Sequence, residues 1–379
     1  MPAHLLDDSL ADIAARLETW GEPAYRARQI ARWALREGVT SFDAMTDLPC
    51  ALRTRLAHAY TLEPPSELAR TAADDGSTTK VLLGLGEPAP GAPSFAVGDA
   101  VEAVRMDYDP DRPEHATGTR RRATVCVSTQ AGCAMGCVFC ATGQQGFTRN
   151  LTTAEILAQV LHFTRGNPES GVSNVVFMGM GEPLANYEPT LRAVRWLIDP
   201  HGLDMRARGV TISTVGLEGP IRRLASEGLQ IGLTVSLHAP DDELRRQLIP
   251  TAGGVTLDGL IDASREYVDR TGRRVTFAYA LLEGVNDEPE QARRLAARVR
   301  GMRAHVNLIP YNPTAGEGLR RPSTARVRAF QRELQAAGIN ATVRIERGVE
   351  IAAACGQLRT DVALGDAPQP LAVVEPGTG

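Results

Sequence analysis

The chain has 379 residues, 43% of them hydrophobic, with 41 Lys plus Arg against 45 Asp plus Glu and a formal net charge of −4. That length supports one large domain and a smaller one, each with its own core. No run of about 18 apolar residues is present to span a bilayer, and the negative balance argues against a simple nucleic-acid coat. The opening MPAHLLDDSLADIAARLETW is acidic and lacks the basic start and apolar centre of a secretory signal, so a cytoplasmic location is expected. In that setting six cysteines point to metal binding or catalysis rather than a disulfide framework.

Residues 1–70 read as a compact helical module. Residues 24–37, AYRARQIARWALRE, carry apolar positions near helical spacing, and TDLPCALRTRLAHAY predicts another helix from Pro49. Residues 71–122 read as a strand-containing linker region. Strands are expected near Thr79–Leu85 and Ala100–Tyr108, separated by the loop GEPAPGAPSFAVGD and followed by DPDRPEHATGTRRR.

From 123 to 340 the pattern is strand, then helix, repeated. The apolar runs are Ala123–Ser128, Asn174–Met178, Gly209–Ser213, Ile231–Leu237, Val275–Leu282 and His305–Ile309. Thr152 with Glu155 predicts a capping box, as does Asp287 with Glu290 ahead of a helix closed by Gly301; a further helix ends at Gly338. Such a pattern predicts an α/β domain with parallel strands. Six units are too few for a closed eight-stranded barrel, so an open, partial (β/α)6 barrel is expected. Residues 341–365 form a C-terminal extension and 366–379 a flexible tail.

The basic residues are unevenly chosen. Residues 291–332 hold ten arginines against Glu317, a local +9, and read either as a nucleic-acid face or as solvated helix surface. Lys80 is the only lysine, so arginine in place of lysine elsewhere reflects a composition bias and carries little functional information.

Polar residues collect where the predicted strands end: Cys133, Cys137 and Cys140 after the first, Gly179, Gly181 and Glu182 after the second, Ser213 and Thr214 at the third, Ser236 and His238 at the fourth, Asn312 after the sixth. That end of a β/α barrel is where active sites are built. CAMGCVFC has the spacing C-x3-C-x2-C. Structural zinc sites take four protein ligands. A cubane iron–sulfur cluster held by three thiolates leaves one iron open to an amine and a carboxylate from outside. A zinc knot borrowing a distant ligand stays as the alternative.

CAMGCVFC resembles the signature of radical S-adenosylmethionine enzymes, and GMGEP resembles their motif for the methionine amino group. With ATVCVSTQAGCAMGCVFCATGQQGFTRNLT, VFMGMGEPLAN, VTISTVGL, VSLHAP, LIPYNP and ACGQL, the chain resembles the RlmN/Cfr family, which methylates adenosine in RNA. The resemblance implies a [4Fe–4S] cluster on Cys133, Cys137 and Cys140. It implies S-adenosylmethionine held by Gly181, Glu182, Ser213, Ser236, His238 and Asn312, two molecules per turnover. It makes Cys355 a methyl carrier, Cys126 the residue that resolves a covalent protein–RNA intermediate by forming a disulfide, and Glu102 a proton acceptor. Cys50 is expected to be a small buried hydrophobe. The loops at 86–99 and 109–122 are longer than the family norm, and Val349 and Ala352 stand where acids are common.

Radical chemistry suits such a substrate. C2 of adenine lies between two ring nitrogens and is too electron-poor to attack a methyl sulfonium. The implied substrates are 23S rRNA in the peptidyl-transferase loop and tRNA beside the anticodon, with an external, flavodoxin-like electron donor and no membrane partner. The target adenine must be unstacked, with the helical module and the arginine-rich region gripping the RNA backbone. The alternatives are C8 methylation, as in the Cfr branch, a radical enzyme acting on a small molecule, and an RNA-binding protein with a structural iron–sulfur or zinc site.

Overall fold

The computed structural model describes residues 2–86, 100–109, 122–165, 171–314, 318–344 and 348–358. Most of the two long loops and the 366–379 tail therefore lie outside the described residues, as does Glu317.

The amino-terminal module is helical because its apolar residues recur at helical spacing. Helix α1 (Leu10–Thr19) starts on a capping box between Ser9 and Asp12 and buries Ile13 and Leu17. Helix α2 (Arg26–Leu35) buries Ala27, Ile30, Ala31, Ala34 and Leu35, and α3 (Cys50–Ala59) buries Leu52 and Leu56. Short parallel strands β1 (Ala3–His4) and β2 (Tyr60–Thr61) bring the ends of the module together. Cys50 corrects the sequence expectation: it opens α3 and is exposed, because the buried stripe of that helix runs through Leu52 and Leu56.

The module is tied firmly to the rest of the chain. Asp7 Oδ1 accepts the amide of Ala154 at 2.9 Å, Trp196 Nε1 donates to the Asp8 carbonyl at 3.1 Å, and Arg192 donates to the Asp7 carbonyl.

Among the described residues one ten-stranded sheet organises the remainder. Its first strands are antiparallel neighbours: β3 (Ser66–Ala72), β4 (Thr78–Gly84), β5 (Ala100–Tyr108) and β6 (Arg122–Cys126). A small separate hairpin, β7 (Gln130–Gly132) with β8 (Phe147–Asn150), encloses helix α4 (Ala141–Gln145). From β6 the main sheet continues in parallel through β9 (Val172–Phe177), β10 (Val210–Thr214), β11 (Gly232–Ser236), β12 (Val275–Leu281), β13 (Ala304–Pro310) and β14 (Ala341–Val343). All six expected runs are parallel strands; β14 is a seventh, too short to show in the sequence pattern. The order is linear, with β3 and β14 at the two edges, so the barrel is open.

Helices connect the parallel strands: α5 (Thr153–Thr164), α6 (Tyr187–Ile198), α7 (Glu218–Ser226), α8 (Asp242–Leu248), α9 (Leu257–Thr271), α10 (Pro289–Val299) and α11 (Thr324–Ala336). The Thr152–Glu155 capping box forms as expected. The second box is shifted by one residue: Glu288 and Gln291 form it, while Asp287 turns inward to accept the amide of Gly284 at 3.0 Å. Sheet and helices share one apolar core running through Val125, Phe177, Val235, Phe277 and Phe330.

Candidate active site

The three clustered cysteines occupy the turn between β7 and α4. Gly132 takes φ 72°, and a Cβ there would lie 1.9 Å from the Gly146 carbonyl oxygen, so only glycine lets the turn close. Cys133 donates its amide to that same carbonyl at 2.7 Å. Burial pushes the Cys133 thiol up to about 11, and burial reinforced by neighbouring cysteines also raises Cys137 and Cys140. Thiols in such a setting ionise when a cation is there to receive them.

A second observation agrees. Arg245 is 1% exposed; its Nη2 donates to the Val215 carbonyl, but Nε and Nη1 have no hydrogen-bond partner. Burial lowers its pKa, and Cys137 and then Asp242 are the groups whose charge favours its protonated form. A buried guanidinium with orphaned donors fits a site that holds negative charge, such as three thiolates on a cluster or a cofactor carboxylate. Among the described residues no three His, Cys, Asp or Glu side chains close on a single metal ion; a cubane is larger than one ion.

The strand ends supply the rest. Gly181 sits at φ 97° against Gln130, whose side-chain Cβ is 2.5 Å from where a Cβ would be, and Gln130 Oε1 accepts the Glu182 amide at 2.8 Å. The Glu182 carboxylate is aimed by two backbone donors, Leu184 at 2.9 Å and Val215 at 2.7 Å. Burial nevertheless raises it to about 7, a carboxylate whose ionised form a ligand ammonium would favour. Ser213 and Ser236 lie half-buried in β10 and β11. Neither caps the next helix: Leu217 and Asp241 hold those positions.

His238 is one of three non-glycine residues with positive φ among those described, at 60°. Its Nδ1 accepts the Ala280 amide at 2.9 Å, which leaves the proton on Nε2. Burial first, then Arg245, lowers it to about 3, so the ring is neutral. It meets Phe139 of the cysteine turn edge-on, centroids 4.7 Å apart.

The segment carrying Cys355 is stitched to this turn. Ala141 donates its amide to the Gly356 carbonyl at 2.8 Å, Thr142 Oγ1 to the Leu358 carbonyl at 2.6 Å, and Asn312 Nδ2 to the Cys355 carbonyl at 3.2 Å. Cys126 and Cys355 line one small cavity together with Asn312, Met178 and Met106. Burial, then the charge of Cys355, pushes Cys126 up to about 12.

Glu102 is not an exposed strand residue. It is 2% exposed on β5, and Lys80 Nζ lies 2.8 Å from its Oε1. Ser128 Oγ donates to the Glu102 carbonyl at 2.7 Å and accepts the Met180 amide at 2.9 Å, joining β5 to the glycine-rich loop. Sequence reading missed three contributors, Lys80, Gln130 and Arg245. Lys80 alone gave a signal, as the only lysine.

The arginine-rich stretch is less basic in space than in sequence. Arg293 pairs with Glu290 and Glu333, Arg294 with Asp241, Arg298 with Asp258, and Arg326 with Asp287 and Glu288.

An open parallel barrel with three cysteines beside its first strand, a buried glutamate after the second and further polar groups at later strand ends defines a radical S-adenosylmethionine enzyme. The profile of the Radical SAM superfamily matches residues 127–296, and that of the ribosomal RNA large subunit methyltransferase N-terminal domain matches residues 3–62. The chain is 48% identical to ribosomal RNA large subunit methyltransferase N of Nitrosopumilus maritimus, over 90% of this chain and 94% of that protein. It is 46% identical to a probable dual-specificity RNA methyltransferase RlmN of Roseiflexus castenholzii, over 95% and 96%. A crystal structure of a radical SAM methyltransferase from Sphaerobacter thermophilus superposes with a TM-score of 0.84 at 47% identity, over 95% of this chain and 100% of that one. The chain belongs to the RlmN family. Its cofactors are accordingly a [4Fe–4S] cluster and S-adenosylmethionine.

Proposed function

We propose that this chain methylates C2 of adenosine in 23S rRNA, and of tRNA adenosine beside the anticodon, with Cys355 as the intermediate methyl carrier. The observation that supports it most is that Cys126 and Cys355 share one cavity, while the Cys355 segment is hydrogen-bonded to the turn of Cys133, Cys137 and Cys140. A structural metal site would give no reason for two further cysteines to meet beside it.

In this reading Cys133, Cys137 and Cys140 hold the cluster, and Gly181, Glu182, Ser213, Ser236, His238 and Asn312 hold S-adenosylmethionine, used twice per turnover. When bound, cluster and S-adenosylmethionine supply a radical able to take hydrogen from an unactivated methyl group. Cys355 accepts a methyl group as a thiolate and presents it to the base. Glu102 takes the ring proton. Cys126 then attacks the Cys355 sulfur, which releases the methylated RNA and leaves a disulfide that must be reduced before the next turnover. An external, flavodoxin-like donor would supply the electron that the cluster needs. Among the described residues no helix is long and apolar enough to cross a membrane, and RNA as substrate fits a cytoplasmic enzyme.

The test uses protein with its cluster rebuilt anaerobically, S-adenosylmethionine with a deuterated methyl group, and 23S rRNA fragments. The expected product is 2-methyladenosine that has lost one deuterium of its methyl group. 8-Methyladenosine would overturn the position, and a fully deuterated methyl would overturn the relay through Cys355.

A further inference from the structure

Forty of the 41 basic residues are arginine. The exception, Lys80, is a half-buried side chain whose ammonium meets two groups at once. Nζ lies 2.8 Å from Glu102 Oε1 and donates to the Ala352 carbonyl at 3.2 Å. The strand register explains the first contact. Lys80 of β4 stands opposite Val104 of β5, and Val104 stands opposite Cys126 of β6. Residues directly opposite, and those two apart along a strand, share a face. Lys80, Glu102 and Cys126 therefore project from the same face of the sheet, with Lys80 and Glu102 as diagonal neighbours.

The second contact reaches across that face to the segment carrying Cys355. Ala352 holds φ 51°, a left-handed conformation that a side chain disfavours. The turn around it is closed by the Ala352 amide on the Val349 carbonyl at 3.1 Å and the Ala353 amide on the Gly348 carbonyl at 2.7 Å. Three residues later comes Cys355.

We infer that Lys80 is a positioning residue: one ammonium sets the Glu102 carboxylate and the Cys355-bearing turn in fixed relation on the face that also carries Cys126. The inference rests on the roles proposed for Glu102 and Cys355. Lysine suits the task because its ammonium is compact and directs donors in several directions, whereas a guanidinium presents a planar fork. In a chain that uses arginine at every other basic position, lysine stands at the one place where an ammonium meets both groups.

The experiment compares wild type, K80M, K80R, E102Q and C355A, all with rebuilt cluster. Two quantities are read: the kcat and KM for RNA, and the iodoacetamide labelling of Cys355 relative to Cys50, which is exposed and far along the chain. Both Lys80 variants should raise the Cys355:Cys50 ratio severalfold. Both should lower kcat by about tenfold or more, as displacement of a reacting group by an ångström does, with KM little changed. K80R guards against misfolding, since it keeps the buried charge. A wild-type ratio and kcat in either variant overturns the inference. Full activity in C355A or E102Q overturns the underlying reading instead, and the labelling ratio still decides whether Lys80 holds the turn.

Discussion

Asn312 Nδ2 donates a hydrogen bond to the carbonyl oxygen of Cys355 at 3.2 Å. A residue just past the end of β13 thus holds the backbone of the proposed methyl carrier, while Arg321 Nη1 donates to Asn312 Oδ1 at 3.4 Å. The contact contributes only about 1 kcal/mol to stability, yet a small displacement of a reacting group costs far more in rate. N312A should therefore melt within a few degrees of wild type and methylate Cys355 about tenfold more slowly or worse. Intact-protein mass after a single exposure to S-adenosylmethionine reads the second quantity and a thermal melt the first.

Replacing Cys126 separates the two halves of the proposed reaction. C126A should form the covalent adduct with RNA and fail to release it, so a cross-linked species should accumulate on a denaturing gel. In the wild type, burial holds the Cys126 thiol near 12, well above neutral pH. Below that value the thiolate fraction rises about tenfold per pH unit. Release of the adduct should accelerate as pH rises from 6 to 8, and a pH-independent release would argue against Cys126 as the attacking group.

Glu182 links ligand binding to stability. Its carboxyl is raised by burial from 4.5 to about 7. A raised carboxyl favours the folded state below its unfolded value, and that contribution is lost as pH rises through the folded one. The loss amounts to about 3 kcal/mol by pH 8 in the ligand-free protein. Ligand-free E182Q should therefore lose less stability than wild type between pH 5 and pH 8. It should also bind S-adenosylmethionine more weakly, because the amide has no charge for an ammonium. Melting curves at the two pH values and equilibrium dialysis test the two halves separately.

Asp7 acts as a cap supplied by another part of the chain. Its Oδ1 accepts the Ala154 amide, one of the first-turn donors of α5 that have no partner inside the helix. D7A should cost about 1 kcal/mol. Limited proteolysis should then cut sooner around residues 62–66, between β2 and β3, than in wild type. Unchanged cleavage would mean that the other ties of the module, among them Trp196, Arg192 and Arg36, suffice to hold it.

The sequence by itself determined the parts whose signal is local. Apolar runs of five to eight residues alternating with helical segments announced the six parallel strands, although burial alternates along β9, β10 and β13 and is continuous through most of β11 and β12. Cys133, Cys137 and Cys140 were legible from spacing, since one short turn must present all three. The tertiary structure alone decided what depends on residues distant in sequence. Strand β14 has three residues, too few for a pattern, and exists because β13 offers it an edge. Cys50 lies outside the core because the helix phase turns it outward. The arginine-rich stretch loses much of its charge to acids from other segments, among them Asp241 and Asp258. Cys126 and Cys355 share a cavity only after β6 and the carboxy-terminal segment have packed together. Lys80, conspicuous in the composition, acquired a role only when the sheet register set it beside Glu102 and the fold brought Ala352 within hydrogen-bonding reach. Hydrophobic periodicity specifies an element; the pairing of polar groups depends on which elements meet.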